Sequence, residues 1–183
     1  MLIWRRRRFF KRVYGYHGTS RQRALAIKRN GFKVSSNSYD WLGDGVYFWQ
    51  DAPSRAREWA EQHHPQDPVV IGVRMTLSPD CMDLLDIDWW RPLEDAHLQL
   101  LAAAEKTGTA VPRQRSDSLA RRLDSAVINY SIQLARSKGL KVPAVRAAFI
   151  EGMPVYPSSA IYNRSHVQIC VIDDKIIDDV FEA

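Results

Sequence analysis

The chain predicts an α+β fold, with a mixed or antiparallel sheet and helices packed around it. Three observations predict it. Runs rich in β-branched and aromatic residues recur at strand length, at 13–16, 45–49, 69–77, 145–150, 166–172 and 176–181. Segments of helical spacing stand at 21–29, 53–62, 92–105 and 117–138. Their order, strand, helix, strands, two helices, strands, suits α+β. With 183 residues, 45% apolar and 26% charged, the chain reads as one domain with one sizeable core. That composition excludes a mainly disordered chain, a collagen-like chain and a polytopic membrane protein.

Each element has a local reason. The first strand, 13–16, ends at His17-Gly18-Thr19-Ser20. The helix after it turns Leu25 and Ile27 inward, with Ser20 as N-cap and Gly31 as stop. Residues 35–40 form a polar loop before the second strand. The second helix carries Pro53 in its first turn, where a missing N–H costs nothing. The apolar run 69–77 reads as a buried strand. Two helices then form an insertion, 92–138, around a loop at 107–115 holding Gly108 and Pro112. The second of them ends at Lys138-Gly139, with Pro143 beyond. Strands complete the chain, and an acidic tail follows from Asp173.

Charge is unevenly laid out. Residues 1–39 hold eleven Lys or Arg and no acid, while the remainder holds fifteen basic and twenty-one acidic residues. Residues 1–12 read as a basic N-terminal extension, with Arg5, Arg6, Arg7, Arg8, Lys11 and Arg12 interleaved with Trp4, Phe9 and Phe10. Cations attract phosphates and aromatics stack on unpaired bases, so these residues are candidates for nucleic-acid contact. The bland alternative is a basic element whose stems cover apolar surface. No signal-peptide h-region and no run of transmembrane length is evident, so a cytoplasmic protein without membrane contact is expected. Cys81 and Cys170 lie far apart with no metal-ligand spacing, and read as two buried thiols with no metal.

Three segments carry candidate chemistry. In Tyr16-His17-Gly18-Thr19-Ser20 an imidazole stands beside bare backbone that a ligand can approach. In Trp41-Leu42-Gly43-Asp44-Gly45-Val46-Tyr47-Phe48-Trp49 a glycine turn enters an aromatic strand whose Tyr47 and Trp49 share one face. In His166-Val167-Gln168-Ile169-Cys170-Val171 the polar Gln168 needs a partner, either a core group or a ligand. His63-His64 reads as an exposed helix end, and Asp86, Asp88, Glu94 and Asp95 as a solvated acidic rim. There is no phosphate-cradling loop and no Rossmann fingerprint.

Taken together, His17-Gly18-Thr19, the Gly43-x-Gly45-Val46-Tyr47-Phe48 run, the Ala56-x-x-Trp59 helix and the late strand with Gln168 resemble the ADP-ribosyltransferase superfamily. The similarity is to its diphtheria-toxin and poly(ADP-ribose) polymerase branch, and runs over 14–59 and 148–173. The resemblance implies a split mixed or antiparallel β core with flanking helices and a two-helix insertion. It implies NAD as substrate and no metal. His17 matches the histidine that bonds the adenosine ribose, and Gly18 the glycine whose backbone holds the nicotinamide carboxamide. Tyr47 matches the ring that stacks on nicotinamide. Gln168 falls at the place of the family's catalytic glutamate. Trp59 is expected as the second stacking wall, and Thr19 lies in the same NAD-binding segment.

The activity implied is mono-ADP-ribosyl transfer from NAD to a macromolecule, as in a compact toxin or defence effector. RNA or DNA is favoured slightly over protein as acceptor because of the basic N-terminal region. The helices of 92–138 offer a place for a neutralising antitoxin or immunity protein. Gln168 can supply a hydrogen bond to the ribose but no charge. Three explanations stay open: a branch with a native glutamine, a disarming change from glutamate, or a catalytically silent module that binds NAD or nucleic acid.

Overall fold

The computed structural model describes residues 10–35, 37, 40–113 and 121–183. The fold is α+β. In chain order the elements are β1 (Lys11–Ser20), α1 (Arg21–Asn30), β2 (Val46–Gln50), α2 (Pro53–His63), β3 (Pro68–Leu77) and β4 (Met82–Asp83). There follow α3 (Trp90–Thr107), α4 (Arg122–Ser137), β5 (Ala144–Phe149), β6 (His166–Val171) and β7 (Ile177–Glu182).

The strands form one seven-stranded sheet in the order β4-β5-β6-β2-β1-β3-β7. The β4–β5 pair is parallel and the others are antiparallel, so the sheet is mixed. β1 pairs with β3 along its whole length, from Lys11 opposite Leu77 to Ser20 opposite Pro68. It meets β2 at only two pairs, Gly15–Gln50 and Tyr16–Trp49. Beyond them the two halves of the sheet part, with His17 to Ser20 on one side and Val46 to Phe48 on the other.

Opposed residues of an antiparallel pair share a face, and neighbours along a strand alternate. One face buries Val13, Phe48, Ile71, Val73, Met75 and Ile169, with Ala24 of α1 packed on it. The opposite face carries two clusters. Leu42, Met82, Val145 and Cys170 lie beneath Ile128, Ile132 and Ala135 of α4. Trp49 and Val70 lie beneath Ala56 of α2.

Local signals act where expected. Ser20 caps α1, its hydroxyl accepting from the Arg23 N–H at 3.3 Å, and Gly31 closes it by donating to the Ile27 carbonyl. Pro53 opens α2, and α4 ends in a turn where Leu140 N–H bonds the Ala135 carbonyl.

Other expectations need correction. β1 does not end at His17 but runs to Ser20, because β3 offers a ladder along all of it. Lys11 and Arg12 are not in an extension but are the first two residues of β1. Leu25 faces solvent at 48% exposed, and α1 instead buries Ala24. α4 packs on the sheet face, while Leu98 and Leu101 of α3 stay exposed. Trp4, Arg5, Arg6, Arg7, Arg8 and Phe9 lie outside the described residues. No helix among the described residues is long and apolar enough to cross a membrane. Both cysteines are free and buried.

Candidate functional site

The face that bears Tyr47 is the one on which α2 and α4 lie. Tyr47 stands opposite Cys170, and Trp49 opposite Gln168, so Tyr47, Trp49 and Gln168 share that face. The arrangement follows from alternation on β2 and β6, read in their antiparallel register.

Tyr47 is held by its hydroxyl. The oxygen accepts from the Leu42 N–H at 2.8 Å and donates to the Gly43 carbonyl at 2.7 Å. Gly43 sits at φ 84°, the left-handed region that favours glycine, so the turn closes back on the ring. Burial pushes the phenol's pKa upward, and it stays protonated. The hydroxyl is therefore committed to the 41–43 turn. What Tyr47 offers a ligand is its ring.

Gln168 is tied to the same turn. Trp41 Nε1 donates to Gln168 Oε1 at 2.6 Å. An indole N–H only donates, so the oxygen of the amide must face it. One lone pair on Oε1 and both N–H groups remain for other partners. The Trp41 ring packs on Phe149, 4.8 Å between centroids, and Phe149 in turn contacts His166.

His17 lies elsewhere. It opposes Ile71, and its ring packs on Phe48 and Phe32 at 5.9 and 5.8 Å, on the face opposite Tyr47 and Gln168. It joins the site through the backbone, since Nδ1 lies 3.0 Å from the Tyr47 carbonyl oxygen. A carbonyl only accepts, so Nδ1 carries the proton and Nε2 the lone pair. Burial lowers the imidazole pKa and keeps it neutral. The ring thus spans the place where β1 and β2 part.

Gly18 is buried under α2, and a Cβ there would overlap the Ala56 carbonyl oxygen. Its lack of a side chain lets the helix sit on the strand. The Thr19 side chain, expected beside NAD, is instead core, 2% exposed and opposite Val69. Trp59 does not meet Tyr47. It packs against Trp49 at 6.1 Å and stacks on His63 at 4.0 Å, so its own helix covers it. A second wall made by Trp59 over Tyr47 is not what the structure builds.

Several contacts escaped the sequence reading. Arg55 of α2 bonds Glu58 and, at 2.8 Å, Glu151, and Arg164 also pairs with Glu58. This network straps α2 to the β5–β6 connection. His166, two residues before Gln168, is buried, and its Nδ1 bonds the Arg164 carbonyl at 2.7 Å. Burial lowers its pKa. Trp49 Nε1, His166 Nε2 and Arg55 Nε are buried without hydrogen-bond partners among the described residues. Period-two alternation around Gln168 was the available signal for His166, whereas nothing local pointed to Arg55 or Glu151.

Chemically, this face can stack and hydrogen-bond. It has no carboxylate at Gln168, and the nearby Glu58 and Glu151 are taken by arginines. At the start of β1, Lys11 and Arg12 are exposed beside Phe10, 70% exposed, and Tyr14. No group of three or more His, Cys, Asp or Glu among the described residues is placed to hold a metal ion. No protein-family model, curated protein or solved structure matches the chain.

Proposed function

We propose that the chain is an NAD-dependent mono-ADP-ribosyltransferase of the toxin or defence-effector kind, acting in the cytoplasm on a macromolecular acceptor. The observation that carries this reading is the parting of β1 from β2 just past Tyr16–Trp49, with Tyr47 and Gln168 on one face beside it. The motif order of the sequence adds to it. Transfer breaks the bond between the nicotinamide nitrogen and ribose C1′, and the electron pair leaves with nicotinamide. C1′ then bonds to a nucleophile, whose proton passes to water. Tyr47 supplies a ring for the leaving group, and Gln168 an amide for the ribose hydroxyls. A neutral amide is no base, so the acceptor is a nucleophile that needs none, such as a base nitrogen. The exposed Lys11 and Arg12 support a nucleic acid. His17 acts by holding the Tyr47 carbonyl at the parting.

Radiolabelled NAD, with nucleic acid and protein as separate acceptor pools, tests the proposal. Label should enter the nucleic-acid pool, disappear with nuclease, and be lost in Tyr47→Ala and Gln168→Ala chains that keep their circular dichroism. Absence of both label transfer and nicotinamide release would refute transfer. A second reading, a silent NAD- or nucleic-acid-binding module, is favoured by the missing charge at Gln168. The Gln168→Glu chain separates them, because Trp41 Nε1 can donate equally to a carboxylate. Activity that appears only in Gln168→Glu supports a change that disarmed an enzyme, activity highest with glutamine supports a native glutamine enzyme, and binding without activity in either chain supports the silent module.

A further inference from the structure

A cavity of about 510 Å³ opens at the end of the sheet where β2 begins and β6 ends. None of His17, Tyr47, Gln168 or Trp59 lines it. Its floor is aliphatic, with Val46 and Val171 from the two strands. Phe32, from the segment after α1, forms an aromatic wall and is only partly buried. Two cations line it, Arg136 in the last turn of α4 and Lys141 just after it. Asp173 and Asp174 line it as well, the Asp173 N–H donating to the Pro143 carbonyl at 3.0 Å. Asp173 uses Oδ1 to accept from the Lys175 N–H at 3.2 Å, which leaves Oδ2 for a ligand.

We infer that this cavity binds a nucleoside monophosphate group. The volume lies in the range of small-molecule sites, which are mostly apolar with a few polar groups that fix orientation. An apolar floor with one aromatic wall takes a planar base. A guanidinium and an ammonium suit a phosphate. Carboxylates only accept, so Asp173 and Asp174 call for donors, which the two neighbouring ribose hydroxyls provide. A plain anion would meet the two carboxylates, and a plain hydrocarbon would leave four charges unused. A group that carries both a phosphate and hydroxyls answers both. The inference stands apart from the transfer reading, since no residue is shared.

The group could arrive as a free nucleotide or as half of a dinucleotide, so titration calorimetry on the full chain uses AMP, adenosine and NAD. AMP should bind saturably. The Arg136→Glu/Lys141→Glu chain should weaken AMP about tenfold, two exposed charge contacts being worth roughly that much together, and leave adenosine unchanged. Asp173→Asn/Asp174→Asn should weaken AMP and adenosine alike. NAD that displaces AMP identifies the dinucleotide as the source, and NAD that does not identifies the free nucleotide. No saturable AMP binding at millimolar concentration, or AMP affinity indifferent to both double variants, overturns the inference. Binding unchanged in Gln168→Ala keeps its outcome separate from that of the transfer assay.

Discussion

Replacing Tyr47 by Phe separates what this residue does for the fold from what it does for chemistry. The ring stays and the hydroxyl goes. Two hydrogen bonds go with it, one from Leu42 N–H at 2.8 Å and one to the Gly43 carbonyl at 2.7 Å. Each bond contributes about 1 kcal/mol net, and leaving the Leu42 N–H without its partner adds about 1 kcal/mol more. Leu42 is fully buried, so water cannot replace the lost oxygen. The expected loss is about 2–3 kcal/mol, a fall in Tm of about 5–10 °C for a chain of this size. Urea unfolding followed by tryptophan fluorescence reads it as a lower midpoint at unchanged slope. Under the proposed transferase function, nicotinamide release at saturating NAD should survive at low temperature, because the Tyr47 ring stays. A stability loss below about 0.5 kcal/mol would show that the hydroxyl does not hold the 41–43 turn, and the structural account of Tyr47 would fall.

Other outcomes follow from the same geometry. Gly18→Ala places a Cβ against the Ala56 backbone, which cannot rotate away, and should cost about 2–3 kcal/mol in urea unfolding; a neutral result would mean that α2 does not rest on β1. Asp83 and Arg146 form a buried ion pair at 3.1 Å, each side chain 7% exposed. Asp83→Ala should cost about 3–5 kcal/mol, while Asp83→Leu/Arg146→Met should cost clearly less, since it leaves no buried charge behind; equal losses would contradict this. His17 and His166 both titrate below 6.5 in the fold, so the unfolded chain binds protons that the fold does not. Their contribution is fully present above pH 6.5 and is lost as pH falls below it. Urea midpoints should therefore drop from pH 7.5 to 5.5, about these values, and drop less in His17→Gln and His166→Gln chains that stay folded.

Much of the architecture was legible in the amino-acid sequence, because its causes are local. The cap at Ser20, the stop at Gly31, the proline that opens α2 and the turn after α4 each depend on a few neighbouring residues. The alternation that puts Tyr47 and Trp49 on one face is equally local. The long helices were visible from their spacing, though not which leucines they bury, because that depends on what each helix meets.

The site was less legible, for a physical reason. Which face His17 takes depends on the register of β1 against β3, and a shift of one residue would reverse it. The partner of Gln168 is Trp41, 127 residues away, and the partners of Arg55 include Glu151, 96 away. Residue types and their order determined the strands, the helix ends and the candidate ring and amide. Strand pairing and helix docking alone decided that Gly18 serves α2, that Thr19 is core, and that His17 reaches Tyr47 through a carbonyl from the opposite side of the sheet.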